Sequence, residues 1–187
     1  MTTLATDTFT RANSSALGST ETGSYPWIEG HGDFSISSNR LVCTLVGASM
    51  ALIDVHILDQ DIQADCSPGG TTGQTFLVTR STANTDAGNL LAAGFAAGSS
   101  TLQLYKVLAG GYTLVGSFVA GAHGGTVRCV VQGDAVSVYL NGVLRISYTI
   151  VDAALRTGTK VGVYGGQDAN SALDSFSAAS PSTILSL

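Results

Sequence analysis

The chain has 187 residues and a formal net charge of −5, and 11% of it is charged, less than half the ~25% of an average soluble protein. With 44% hydrophobic residues it is not a disordered chain, which would combine low hydrophobicity with high charge. Two lysines, Lys106 and Lys160, and scattered arginines form no basic stripe, which excludes nucleic acid and anionic membrane as partners, and no apolar stretch reaches the ~20 residues of a membrane span.

Helical periodicity is nearly absent, and two-residue alternation punctuated by Gly, Asn and Asp runs along the chain, the pattern of half-buried strands. The opening Met1 to Asp7 lacks the basic region and apolar run of a signal peptide, so the chain is expected to be complete and made in a cytoplasm without a secretion signal. Strands are expected at 34–36, 41–45, 51–57, 59–66, 74–80, 90–95 and 102–108, and Gly110-Gly111 then turns the chain into 112–119.

The stretch 126–150 reads as a three-stranded meander. Val127, Cys129 and Val131 face inward, Val136, Val138 and Leu140 follow, and Leu144, Ile146, Tyr148 and Ile150 complete the face, with Arg128, Tyr139 and Arg145 outside. Asn141-Gly142 joins its last two strands, because a type I′ turn needs positive φ at both central positions. One helical turn at 152–156 and strands at 160–164 and 172–177 close the set. The spacing is that of an all-β sandwich or barrel. The expected organisation is one domain over 1–179 and a C-terminal tail at 180–187. Cys43, Cys66 and Cys129 sit among apolar neighbours and read as small buried hydrophobes; a Cys43–Cys66 bridge is also open.

The opening Asp7-Thr-Phe9-Thr-Arg11, then Leu17-Gly18, Trp27, Gly32-Asp-Phe34 and Asn39-Arg40-Leu41, resembles the start of concanavalin-A-like and laminin-G-like lectin/glucanase domains. Leu102 to Leu114 resembles that family's central hairpin, and Val136 to Gly142, Thr157-Gly158, Val161-Gly162 and Asp174-Ser-Phe176 resemble its end. The resemblance spans nearly the whole chain. It implies a jelly-roll β-sandwich of two antiparallel sheets, with first and last strands paired near one edge and Asp7/Phe9 beside Asp174/Phe176, the two phenylalanines as buried anchors with nearby capping carboxylates. This style of sequence is similar to tail and head-appendage proteins of phages. It therefore implies a non-enzymatic virion protein, a minor tail or capsid-decoration component released by lysis. Its partners would be other virion proteins and host-surface glycans, with a homo-oligomer open. The alternative it carries is a free carbohydrate-binding, lectin-like module.

Fold alone does not settle activity. Related glucanases carry Glu-x-Asp-x-Glu on one strand, which points all three carboxylates to one face. The nearest run here is Asp59-Gln-Asp61-Ile-Gln63-Ala-Asp65; Gln63 takes the third place, and the chain's glutamates are Glu21 and Glu29. Glycoside hydrolysis needs a carboxyl pair flanking the bond, so no enzyme is expected. This acidic strand reads instead as a solvent-facing sheet edge that resists pairing. Asp59, Asp61 and Asp65, with Asp54, are the candidates for a calcium ion, which takes several oxygen ligands. His31, His56 and His123 are far apart and read as ordinary surface or satisfied histidines. For sugar binding, the aromatic candidates are Trp27, Tyr25, Tyr105, Tyr112 and Tyr139. Tyr139, with Arg128 and Arg145 as cross-strand neighbours, is the candidate ligand-binding patch.

Overall fold

A computed structural model describes residues 1–44, 47–70, 72–166, 168 and 170–182. Leu45, Thr71 and the end of the expected tail, 183–187, lie outside the described residues. The strands are β1 Thr2–Asp7, β2 Ile28–His31, β3 Phe34–Ser37, β4 Arg40–Cys43, β5 Ala48–Asp54, β6 Gln60–Ser67, β7 Gln74–Ser81 and β8 Leu90–Phe95. They continue as β9 Thr101–Leu108, β10 Gly111–Val119, β11 Gly125–Gln132, β12 Ala135–Leu140, β13 Val143–Thr149, β14 Lys160–Gly166 and β15 Ala172–Ser180. A single 3-10 turn, Ala153–Arg156, buries Leu155.

Among the described residues these strands form two antiparallel sheets. One runs β13-β12-β11-β6-β15-β4-β3, with β1 also paired to β15; the other runs β10-β9-β8-β7-β14-β5-β2. This is the jelly-roll sandwich that the resemblance implies. The first and last strands pair, with Asp7 opposite Phe176. However, β15 is interior, flanked by β6 on one side and by β4 and β1 on the other.

Period-two alternation sends one set of side chains from each sheet into the space between them. The larger sheet contributes Ile62, Ala64, Cys66, Val127, Cys129, Val131, Val136 and Val138; the smaller contributes Ala51, Ile53, Leu77, Ala93, Phe95, Leu102, Leu104 and Val163. All are buried. At one end of the core, Trp27 packs edge-on to Phe176 at 5.1 Å between ring centroids and lies 6.0 Å from Phe9. Beneath them Asp7, fully buried, accepts hydrogen bonds from Phe9 N (2.9 Å), Arg11 Nη1 (2.6 Å), Arg11 Nη2 (3.1 Å) and Trp27 Nε1 (2.8 Å). A buried carboxylate persists only when its lone pairs are filled in this way.

Three expectations are corrected. β6 lies between β11 and β15, so its acidic residues are not on a sheet edge. Cys66 is a free buried thiol, so no Cys43–Cys66 bridge forms, and Cys43 Sγ instead lies 3.3 Å from Ser49 Oγ. Leu144 is 48% exposed rather than inward. The reason is a β-bulge: Val138 pairs with Ile146 but Tyr139 with Leu144, leaving Arg145 as the extra residue. One added residue reverses the face of everything beyond it.

Candidate functional site

The outer face of the smaller sheet does not follow the polar-out rule. Met50, Leu52, Phe76, Val78, Leu90, Ala92 and Val107 point away from the main core and form a second apolar cluster, with Tyr105, Tyr164 and Ala96 packed against it. Sheet register places these residues side by side. Phe76 pairs with Tyr164 on one side and Gly94 on the other, and Ala92 sits between Val78 and Tyr105. Small residues on β8 therefore leave a depression between larger side chains on β7, β9 and β14. Phe76 meets Tyr105 and Tyr164 edge-on at 5.9 and 6.1 Å. The hollow is a groove of about 310 Å³ lined by Gln74, Phe76, Ala92, Tyr105, Tyr112 and Tyr164 among others.

The sheet curves around this groove. β10 and β14 are separated by β9, β8 and β7, which at ~4.8 Å per strand is about 19 Å on a flat sheet. Even so, the Tyr112 phenol on β10 and the Tyr164 phenol on β14 lie close enough to perturb each other. They meet only if the sheet is concave here. Asp86, in the loop between β7 and β8, accepts from Tyr112 Oη at 2.9 Å and lies 3.9 Å from His31 Nδ1 on β2. One carboxylate thus reaches side chains from both edge strands of the sheet.

That loop seats against β2 because residue 30 is glycine. A Cβ there would stand 1.5 Å from the Asn84 carbonyl oxygen. Gln74 Nε2 donates to Tyr164 Oη (3.4 Å) and Tyr105 Oη to Gln103 (2.9 Å). Burial, with the neighbouring Tyr164 and Asp86, pushes the Tyr112 phenol well above its ordinary range; burial raises Tyr164 too. Both hydroxyls stay protonated at neutral pH as donors and acceptors. The groove therefore offers aromatic rings over hydrocarbon, with hydroxyl, amide and carboxylate groups at its rim.

The other sequence candidates lie elsewhere. Asp61 and Asp65 point outward from the larger sheet, on the opposite side of the molecule. Asp61, 3% exposed, accepts from Arg128 Nε and Nη2 at 2.7 and 2.6 Å. Asp65 accepts from the Thr126 hydroxyl. Asp59 precedes β6, accepts from Gly133 N at 2.8 Å and lies 3.5 Å from Arg80. Asp54, on the smaller sheet, accepts from His56 N at 3.0 Å and is 3.4 Å from Lys160. The structure gives each carboxylate its own protein partner and does not bring them together. Among the described residues no group of three acidic, His or Cys side chains is arranged to hold a metal ion.

Arg128 and Tyr139 do meet, as a cross-strand pair with the guanidinium 5.3 Å from the ring centroid. They border a hollow of about 300 Å³ with Asp61, Gln132 and Ser137. Asp61 engages Nε and Nη2 of Arg128 and Tyr139 its face, while the side chain stays 38% exposed. Arg145 is apart from them. The bulge turns it toward β10, where it covers the Phe118 ring at 4.4 Å. Of the aromatic candidates, Tyr105 and Tyr112 line the groove, while Trp27 and Tyr25 belong to the main core. Phe76, Tyr164 and Asp86 were not among the sequence candidates. The alternation at 74–78 marks Phe76 as facing opposite to Leu77, but only curvature brings it to a site.

No family model matches the chain, and no curated protein matches it. Solved structures do resemble it in fold. A carbohydrate-binding module, CBM66 from Bacillus subtilis, superposes with a TM-score of 0.65 at 17% identity, covering 80% of this chain and 91% of the other. A galectin from Caenorhabditis elegans gives 0.53 at 11% identity, covering 70% and 90%. A non-specific endo-beta-1,3(4)-glucanase of family GH16 gives 0.63 at 8% identity, covering 94% and 93%. At these identities the likeness is one of architecture. The protein has the concanavalin-A-like jelly-roll fold, shared by binding modules, galectins and glucanases.

Proposed function

We propose that the chain is a non-enzymatic carbohydrate-binding module that takes its ligand in the groove of the smaller sheet. The observation that carries this is the concave face itself, where Tyr105, Tyr112, Phe76 and Tyr164 surround one hollow and Gln74, Gln103 and Asp86 stand at its margin. Sugar rings present C–H faces that pack on aromatic rings and hydroxyls that need hydrogen-bond partners, and small-ligand sites are concave, mostly apolar and edged by a few placed polar groups.

The carboxylates support the non-catalytic reading over hydrolysis. Among the described residues lining the groove none is acidic, and Asp86 at the rim already accepts from Tyr112. Glu21 accepts from Thr8, and Glu29 accepts from Phe34 N. A hydrolase needs two carboxyl groups about 5–10 Å apart across the bond. The lectin-like reading takes precedence over the virion-component reading, because the fold neighbours include a carbohydrate-binding module and a galectin and the groove is a surface complete within one chain.

A glycan array followed by calorimetry on the purified protein tests this. Saturable binding is expected, weakened about tenfold by Tyr112→Ala, the scale of one aromatic contact. It should be retained in Tyr139→Ala on the opposite face, and unchanged by EDTA, because Asp59, Asp61 and Asp65 each have a protein partner. An array without a hit overturns the reading. Binding lost in Tyr139→Ala but kept in Tyr112→Ala moves the site to the other sheet.

A further inference from the structure

The floor and the rim of the groove differ in chemistry. The floor is almost all hydrocarbon: Phe76, Val78, Leu90, Ala92 and Ala96 contribute no side-chain donor or acceptor, and Met50 only a weakly accepting thioether. The backbone beneath is also committed, because β8 is paired along its length with β7 and β9. Side-chain hydrogen-bonding groups stand at the margin of this floor, at Gln74, Tyr105, Tyr164, Tyr112 and Asp86. A hydroxyl pressed against the floor would lose its water and gain no partner, the costly half of hydrogen-bond energetics. A methyl group in the same place loses nothing and gains contact with Phe76 and Ala92.

We propose that the groove selects 6-deoxyhexoses, with the C6 methyl seated on the Phe76–Ala92–Ala96 floor and the ring hydroxyls turned to the rim. The proposal rests on the carbohydrate-binding reading and narrows its ligand class. A fully hydroxylated hexose fits less well, because its hydroxymethyl group brings an oxygen to a surface with nothing to offer it. An N-acetyl group fits less well too, since its amide carries both a donor and an acceptor into the same hydrocarbon. At about 310 Å³ the hollow is at the lower end of ligand sites, ~300–1,000 Å³, which suits one or two sugar rings.

The test compares sugars that differ only at O6: L-rhamnose with L-mannose, and L-fucose with L-galactose. Each is titrated into the whole protein by calorimetry or ligand-observed NMR, with N-acetylglucosamine as a further arm. The deoxy member of at least one pair should bind tenfold or more tighter than its hydroxylated partner, within the range by which an apolar pocket rejects an added hydroxyl. Ala92→Ser, which gives the floor a hydroxyl, should narrow that ratio while its melting temperature shows that it folds. Equal affinities within both pairs, a preference for the hydroxylated sugars, or tightest binding of the N-acetyl sugar would overturn the deoxyhexose assignment and leave the carbohydrate-binding reading standing. Binding of no sugar here or on the array would overturn both.

Discussion

At the scale of single residues, Asp7 organises one end of the core. Its carboxylate is fully buried and joins the Phe9 backbone, the Arg11 guanidinium and the Trp27 indole. Asp7→Ala would strand the indole N–H and unpair the guanidinium around a small void. Leaving a buried donor such as the indole N–H without its partner costs about 1–3 kcal/mol, and Arg11, 29% exposed, can turn to water, so equilibrium urea denaturation should show a loss of that order. Asp7→Asn should recover part of it, because the amide oxygen still accepts. The spacing of Asp7, Phe9 and Arg11 is visible in the sequence and suggests a buried anchor. That Trp27 completes it is not, because the contact spans twenty residues of chain.

Among the elements, the β12–β13 hairpin is the one most fully written in local chemistry. Asn141 and Gly142 have φ of 50° and 78°, as a type I′ turn requires. Asn141 N also donates to the Thr126 carbonyl at 2.8 Å, and its side-chain oxygen accepts from Thr126 N at 3.0 Å. Nothing lies within 4 Å of a Cβ built on Gly142, so Gly142→Ala introduces only backbone strain. A loss of about 1–2 kcal/mol is expected, read as a lower denaturation midpoint with an unchanged slope. Other elements were less legible. β1 and β2 were not expected as strands from alternation. β2, Ile-Glu-Gly-His, is four residues with a glycine, and its pairing with β5 makes it a strand. β8 reads as a plain apolar run, and its uniform burial follows from cover on both faces rather than from period.

For the whole molecule, the two-sided core sets the response to alkali. Burial pushes the Cys66 and Cys129 thiols up to about 12, despite the hydroxyls of Thr75 and Thr79 beside them. Burial raises Tyr112 and Tyr164 as well. A group whose pKa is raised on folding stabilises the fold fully below its unfolded pKa and loses that contribution as pH rises toward the folded value. Unfolded thiols titrate near 8.5 and phenols near 10. Stability should therefore hold up to about pH 8.5 and fall above it, each thiol adding a slope of about 1.4 kcal/mol per pH unit until about pH 12. Melting temperature measured from pH 7 to 11 checks this, and Cys129→Ala should make the decline shallower. A flat profile across that range would contradict the burial of these groups.

Local pattern by itself determined most of the strands and turns and the class of fold. Alternation, Asn-Gly and Gly-Gly turns act over a few residues, and a side chain's inward or outward direction follows from its position in the strand. The buried anchors Phe9 and Phe176, with Asp7, followed from the resemblance at the two ends of the chain, whereas Asp174 is only half-buried and accepts from Ser175 N. Tertiary structure decided where a ligand could sit. The bulge at Arg145 separated it from Tyr139, and Asp61 engaged Arg128 through Nε and Nη2. The curvature of the smaller sheet brought Tyr112 to Tyr164 across three intervening strands. Those outcomes depend on register and sheet curvature, which arise from the packing of the whole sandwich and leave no mark in any short stretch of sequence.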